Sequence, residues 1–199
     1  MPIVRTLAQA LRHEIPKIRG SRFIASVERA DTGDAAMAFV EQLRQEMPDA
    51  THHCFAWRVG PDFGDARSSD DGEPNGTAGR PILQEIDGRQ LTGVVVVVTR
   101  YYGGTKLGTG GLVRAYGEAA SEALDRAGIH EVPVVETMHV RHGYDDTGAV
   151  LAVLSAHGLE PTASNYGSQV ELELAVPIEN VDTLRSELVD ATAGRAVVD

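Results

Sequence analysis

The rhythm of apolar and polar residues changes along the chain, and each change assigns an element. Val94 to Val98 is an unbroken apolar run of β-branched residues. Such side chains favour extended backbone, and a strand apolar at every position must be covered on both faces, so 94–99 is read as a central strand. Downstream, Leu112, Ala115, Tyr116, Ala119, Ala120, Ala123 and Leu124 recur at three- and four-residue spacing. That period predicts a long helix over 110–127, closed by Gly128, with alanines that permit close packing. Phe23 to Val27 and Thr51 to Val59 read as strands, with a turn at Arg19-Gly20 ahead of the first. Asp34 is the expected cap of a helix over 35–47. Leu7 and Leu11, four residues apart, predict a short helix over 3–13. Residues 60–76, rich in Gly, Asp, Ser and Pro, read as a loop. A short helix to Glu85 follows, with Pro81 tolerated in its first turn.

From Val132-Pro133 a new unit begins. A strand is predicted over 137–142, a helix from Asp145 or Asp146 to His157, and a hairpin of 162–166 with 170–176. A helix over 180–191 and a last strand over 195–198 complete it. Leu172, Leu174 and Val176 alternate with Glu171, Glu173 and Ala175, which gives the second hairpin strand one wet face. The order β-α-β-β-α-β is ferredoxin-like. The chain is therefore read as a two-domain α+β protein, with domains over 1–130 and 131–199.

Charge sharpens the division. The net charge is −11. Residues 1–130 carry 15 Lys and Arg against 17 Asp and Glu, whereas 131–199 carry 3 against 12. A polyanion is repelled by the second part and admitted by the first. The one cysteine, Cys54, excludes an internal disulfide and a multi-cysteine zinc site. No apolar run approaches the ~20 residues of a membrane span. Arg5, Arg12 and Glu14 break any leader-like apolar stretch at the start. A cytoplasmic protein with no membrane attachment, no metal and no cofactor is expected.

The chemistry concentrates in two stretches. In TRYYGGTKLGTGGLVRAYG, residues 99–117, the central strand empties into a glycine loop that opens the long helix. A helix N-terminus presents free N–H groups and partial positive charge, and glycines let backbone approach a ligand. Gly103, Gly104, Gly108, Gly110 and Gly111 would cradle an anion, with Arg80, Arg100, Lys106 and Arg114 as cations and Tyr101 or Tyr102 for base stacking. Lys106 is followed by Leu107-Gly108 rather than Ser or Thr, so this is not a P-loop, and the glycine spacing excludes a dinucleotide fingerprint. The same glycines would also suit a tight turn with close strand–helix packing.

The second stretch is SSDDGEPNGTAGRP, residues 68–81. Asp70, Asp71 and Glu73 could bind a divalent cation, pair with Arg100, Lys106 or Arg114, or accept bonds from their own loop amides. His52 and His53 are adjacent on a strand and so point to opposite faces: one reads as a buried, backbone-bonded histidine, the other as a candidate site residue.

The segments RGSRFIASVERA (19–30), DATHHCFAW (49–57), SSDDGEPNGTAGRPIL (68–83) and VVVVVTRYYGGTKLGTGGLVRAYG (94–117), in this order and spacing, closely resemble the YigZ/IMPACT family. Tyr102 stands where Phe is usual in that family. The resemblance implies a first domain with the β-α sandwich fold shared by elongation factor G domain four, a small-subunit ribosomal protein domain and galactokinase-type kinases. It implies a second domain like the last domain of elongation factor G. Eukaryotic relatives regulate translation through a protein scaffold; the resemblance assigns no activity to bacterial members. Three functions follow as expectations. The first is a non-enzymatic, translation-associated factor that binds the ribosome or structured RNA through the glycine loop. The second is an enzyme acting on a phosphorylated or anionic small molecule. The third is a protein-interaction module with a protein partner.

Overall fold

In the computed structural model, which describes residues 3–60 and 64–199, the chain divides into two compact units, Val4–Val132 and Pro133–Asp199, with Ile3 grouped with the latter. The first unit contains, in chain order, β1 (Ile3–Leu7), β2 (Leu11–Glu14), β3 (Arg22–Arg29), α1 (Gly33–Glu46), β4 (His52–Val59), β5 (Asp65–Ser69), α2 (Gly79–Gly88), β6 (Val94–Tyr101), α3 (Thr109–Ala127) and β7 (Ile129–Pro133). Five strands form an antiparallel sheet in the order β2-β3-β6-β4-β5, which puts the valine strand β6 in the middle.

The unbroken valine run has a simple cause. Val94, Val96 and Val98 face a core built with Ile82 and Ile86 of α2 and Tyr116, Ala119, Ala120 and Ala123 of α3. Val95 and Val97 face the opposite side, against Ala36, Val40 and Leu43 of α1. All five valines are fully buried. A side-chain period of two, covered on both faces, leaves no position for a polar residue. Gly128, at φ +72°, ends α3 and returns its N–H to the Leu124 carbonyl.

Three local expectations give way. The helix over 3–13 does not form: these residues supply β1, which pairs with β7, and β2 on the sheet edge. The Arg5 carbonyl accepts the Thr92 N–H and the Ala8 N–H donates to Gly128, so distant strands override one weak i,i+4 pair. The cap of α1 is Thr32, whose hydroxyl accepts the Ala35 N–H at 3.2 Å, while Asp34 lies in the first turn. Finally, part of the predicted loop 60–76 is the edge strand β5, exposed and polar along most of its length; residues 61–63 of that loop lie outside the described residues. An edge strand paired on one side only needs no apolar pattern.

The second unit runs β8 (Val135–His142), α4 (Thr147–Ala156), β9 (Ala163–Tyr166), β10 (Val170–Pro177), α5 (Val181–Ala191) and β11 (Val197–Val198), with short 3₁₀ turns ahead of each helix. The sheet order β11-β8-β10-β9 is that of a ferredoxin-like domain. Met138, Val140, Leu172 and Leu174 meet Leu154 of α4 with Leu184 and Leu188 of α5 in one core. Glu171 is exposed and Glu173 half-buried on the opposite face, as the alternation requires. The protein is thus α+β, with two domains. Among the described residues no helix is long and apolar enough to cross a membrane.

Candidate functional site

The acidic stretch after β5 spends its carboxylates on the protein itself. Asp70 accepts the N–H of Gly76 at 2.7 Å and those of Ala78 and Gly79 at 2.9 Å each. The last two are orphan donors at the start of α2, where no neighbouring side chain provides a cap. Burial pushes the Asp70 carboxyl up, but the three amide donors outweigh it and hold it below its ordinary value. One Asp71 oxygen takes the Arg44 guanidinium at 2.8 Å and the other the His53 N–H at 2.6 Å. Among the described residues no group of three or more His, Cys, Asp or Glu is arranged to hold a metal.

Glu73 goes deepest, with its side chain only 4% exposed. A single oxygen accepts from Arg100 at 2.5 Å and from the Tyr116 hydroxyl at 2.7 Å, with His52 Nε2 at 3.8 Å. Burial raises the Tyr116 phenol far above its ordinary value, so it stays a donor. His52 Nδ1 lies 2.8 Å from the Asp71 carbonyl, which can only accept, so the proton sits on Nδ1 and Nε2 faces Glu73. His53 is the buried member of the pair: Nε2–H donates to the Met47 carbonyl and Nδ1 accepts from Thr99. Burial lowers its pKa against the pull of that carbonyl. Cys54 is a core residue whose thiol donates to the Asp70 carbonyl and is pushed up by burial.

Arg100 is therefore not a surface cation. Its guanidinium is paired with Glu73, bonded to Ser21 at 3.2 Å, and lies 5.3 Å from the Phe23 ring centre and 5.4 Å from that of Tyr102. The expectation of a phosphate contact from Arg100 fails because a buried carboxylate already neutralises it. The acidic and glycine stretches do meet, but through this buried pair.

The glycine loop itself has two parts. Its first residues are sewn to the domain: the Tyr102 N–H donates to Thr51 and the Gly103 N–H to Ser21. A Cβ on Gly103 would fall 2.0 Å from the Gly20 carbonyl carbon, so this glycine is a packing device. Among residues 104–111 only Leu107 packs against the core. Residues 104–106 and 108–110 are exposed, and Gly108 precedes α3 at φ +75°. Among the described residues no protein group accepts the N–H of residues 104–111; the first amide of the helix to be bonded is that of Leu112, to Gly108 at 3.0 Å. A run of open amides thus leads into a helix start carrying partial positive charge.

Cations collect beside it. Arg19, in the left-handed turn before Gly20, donates to the Lys106 carbonyl at 3.3 Å, and Arg114 to the Gly110 carbonyl at 3.3 Å. Arg19, Leu107, Gly111, Arg114 and Glu118 line a groove of about 290 Å³. Lys106 is exposed and makes no ion pair among the described residues. Arg80 is exposed in the first turn of α2 and does not line this groove. Arg19 escaped sequence reasoning because only the long-range contact of Gly20 with Gly103 brings it here.

Residues 19–124 match the model of the Impact N-terminal domain, and residues 140–195 match a domain of unknown function (DUF1949). The chain belongs to the IMPACT family. It is 38% identical to the IMPACT family member YigZ of Escherichia coli over 90% of this chain and 89% of that one. It is 41% identical to an IMPACT family member of Thermus thermophilus, over 92% and 99% of the two chains. A crystal structure titled as that of a hypothetical protein superposes with a TM-score of 0.77 at 36% identity, covering 100% of this chain and 97% of that chain. Both loops and Arg19 fall inside the IMPACT match, which begins at Arg19 itself.

Proposed function

We propose that the first domain binds the phosphate backbone of structured RNA, ribosomal RNA included, at the exposed loop Gly104–Gly111, and that the protein is a translation-associated factor of the cytoplasm. The observation that carries this reading is the run of amides at the head of α3 with no protein acceptor among the described residues. Backbone N–H groups and a helix start favour phosphate, and Arg19, Lys106 and Arg114 add full charge beside them. The near-neutral domain as a whole gives little long-range attraction, so affinity is local and modest. The translational role follows the IMPACT family resemblance. The three carboxylates of the acidic loop are all engaged by protein donors, which weighs against the enzymatic alternative.

Titration of labelled ribosomes and of a structured RNA at several salt concentrations tests this. Binding is expected at low salt and to weaken steadily as salt rises. Lys106→Glu and Arg114→Glu are each expected to weaken it and to reduce the logarithmic salt slope by about one. No binding at low salt, or binding indifferent to salt, contradicts the reading.

A further inference from the structure

We infer that Tyr102 is the stacking face for an unpaired base of the bound RNA, so that the preferred RNA carries a loop, bulge or frayed end at this site rather than an unbroken duplex. This rests on the phosphate-binding reading of the neighbouring loop and adds the class of RNA it selects. The two adjacent tyrosines are not equivalent. Tyr101 is half-buried, and the Arg22 guanidinium lies 5.1 Å from its ring centre, held there by two bonds to Glu14 at 2.8 and 2.9 Å. One face of its ring is taken by that guanidinium, and the residue is less exposed than Tyr102. Tyr102 is 46% exposed.

Behind Tyr102 the ring is backed by Arg100, which cannot swing away: it is 4% exposed and locked by Glu73 and Ser21. The backbone beneath is pinned at Thr51 and Ser21. A flat aromatic surface backed by a locked guanidinium and nearly half exposed loses little freedom when a base settles on it, which is the arrangement that stacking rewards. The open amides begin two residues later, so phosphate and base of one strand have adjoining partners. The other strongly exposed tyrosines, Tyr144 and Tyr166, lie in the acidic second unit, whose net negative charge repels an RNA strand. A base inside a duplex has both faces covered by its neighbours and cannot use this surface.

The test compares a hairpin RNA with a blunt duplex of equal phosphate number, using the full chain, with 2-aminopurine in the hairpin loop. The hairpin is expected to bind roughly tenfold more tightly than the duplex. Its 2-aminopurine fluorescence should be quenched on binding. Tyr102→Ala should abolish the preference and the quench while leaving duplex affinity and salt slope unchanged; Tyr102→Phe should keep both. Equal, salt-dependent binding of hairpin and duplex by the wild type would overturn the inference while the phosphate reading stood. A preference or quench that survives in Tyr102→Ala would do the same. Failure of both RNAs to bind at low salt would overturn the two together.

Discussion

Two glycine-bearing loops of the first domain look alike in composition and behave in opposite ways. The stretch 68–79 has carboxylates, and carboxylates find donors: Asp70 takes three amides, Asp71 an amide and a guanidinium, Glu73 the buried Arg100 and Tyr116. Its carboxylates are all engaged by the protein, on the loop itself or on neighbouring elements. The stretch 104–111 has no acidic residue at all, only glycines, threonines, Leu107 and Lys106, so its amides have nothing of their own to bind. A loop that carries its own acceptors becomes structure. One that lacks them is left with unsatisfied donors in solvent, and those are what an external anion meets.

The strongest challenge to this contrast is Glu73→Ala. It leaves Arg100 charged, buried and unpaired, and the first domain should lose about 4 kcal/mol. Trp57, the single tryptophan, lies in β4, so its fluorescence during urea unfolding reports this domain alone. A loss near zero would mean that the pair is not held as described.

Asp70→Ala should cost about 3 kcal/mol at neutral pH by stripping three amides of a charged acceptor. The sign of its pH dependence follows from the lowered folded pKa. The folded state binds protons less readily there, so the stabilisation is complete above about pH 4 and fades as pH falls through the lowered value. The gap between wild type and variant, measured by the same fluorescence, should narrow in acid. A gap that is constant with pH contradicts the cap. Lys106→Ala stands at the other end: it should move the unfolding free energy by less than about 0.5 kcal/mol while weakening RNA binding.

Much of the fold was legible because its cause is local. The valine run announces a covered strand, the alanine-rich period announces α3, and the Leu172–Val176 alternation announces a half-wet sheet. β1 and β5 were not legible for different reasons: β1 is made by partners far along the chain, β7 and Thr92, whereas β5 is an exposed polar edge strand on neighbouring β4 with no apolar alternation to announce it. The site divides in the same way. Glycines and cations of the loop stand in one stretch and could be read there. A pairing of the acidic stretch with Arg100 could be foreseen, but not that Glu73 is the residue that makes it or that the pair is buried, and nothing near Arg19 reveals that Gly20 touches Gly103. The composition of residues 68–79 allowed a cation site, a pairing with Arg100, Lys106 or Arg114, and a self-bonded loop; tertiary contacts give Asp70 to the loop amides and Glu73 to Arg100.

The most direct measurement is an amide-resolved NMR titration of the intact protein with the hairpin RNA. Resonances of Gly104, Gly108, Gly110 and Gly111 should shift progressively and return as salt is added, while those of Gly76, Ala78 and Gly79, already bonded to Asp70, stay in place. Unmoved glycine-loop amides with RNA bound, or shifts centred on 76–79 instead, would contradict the central claim.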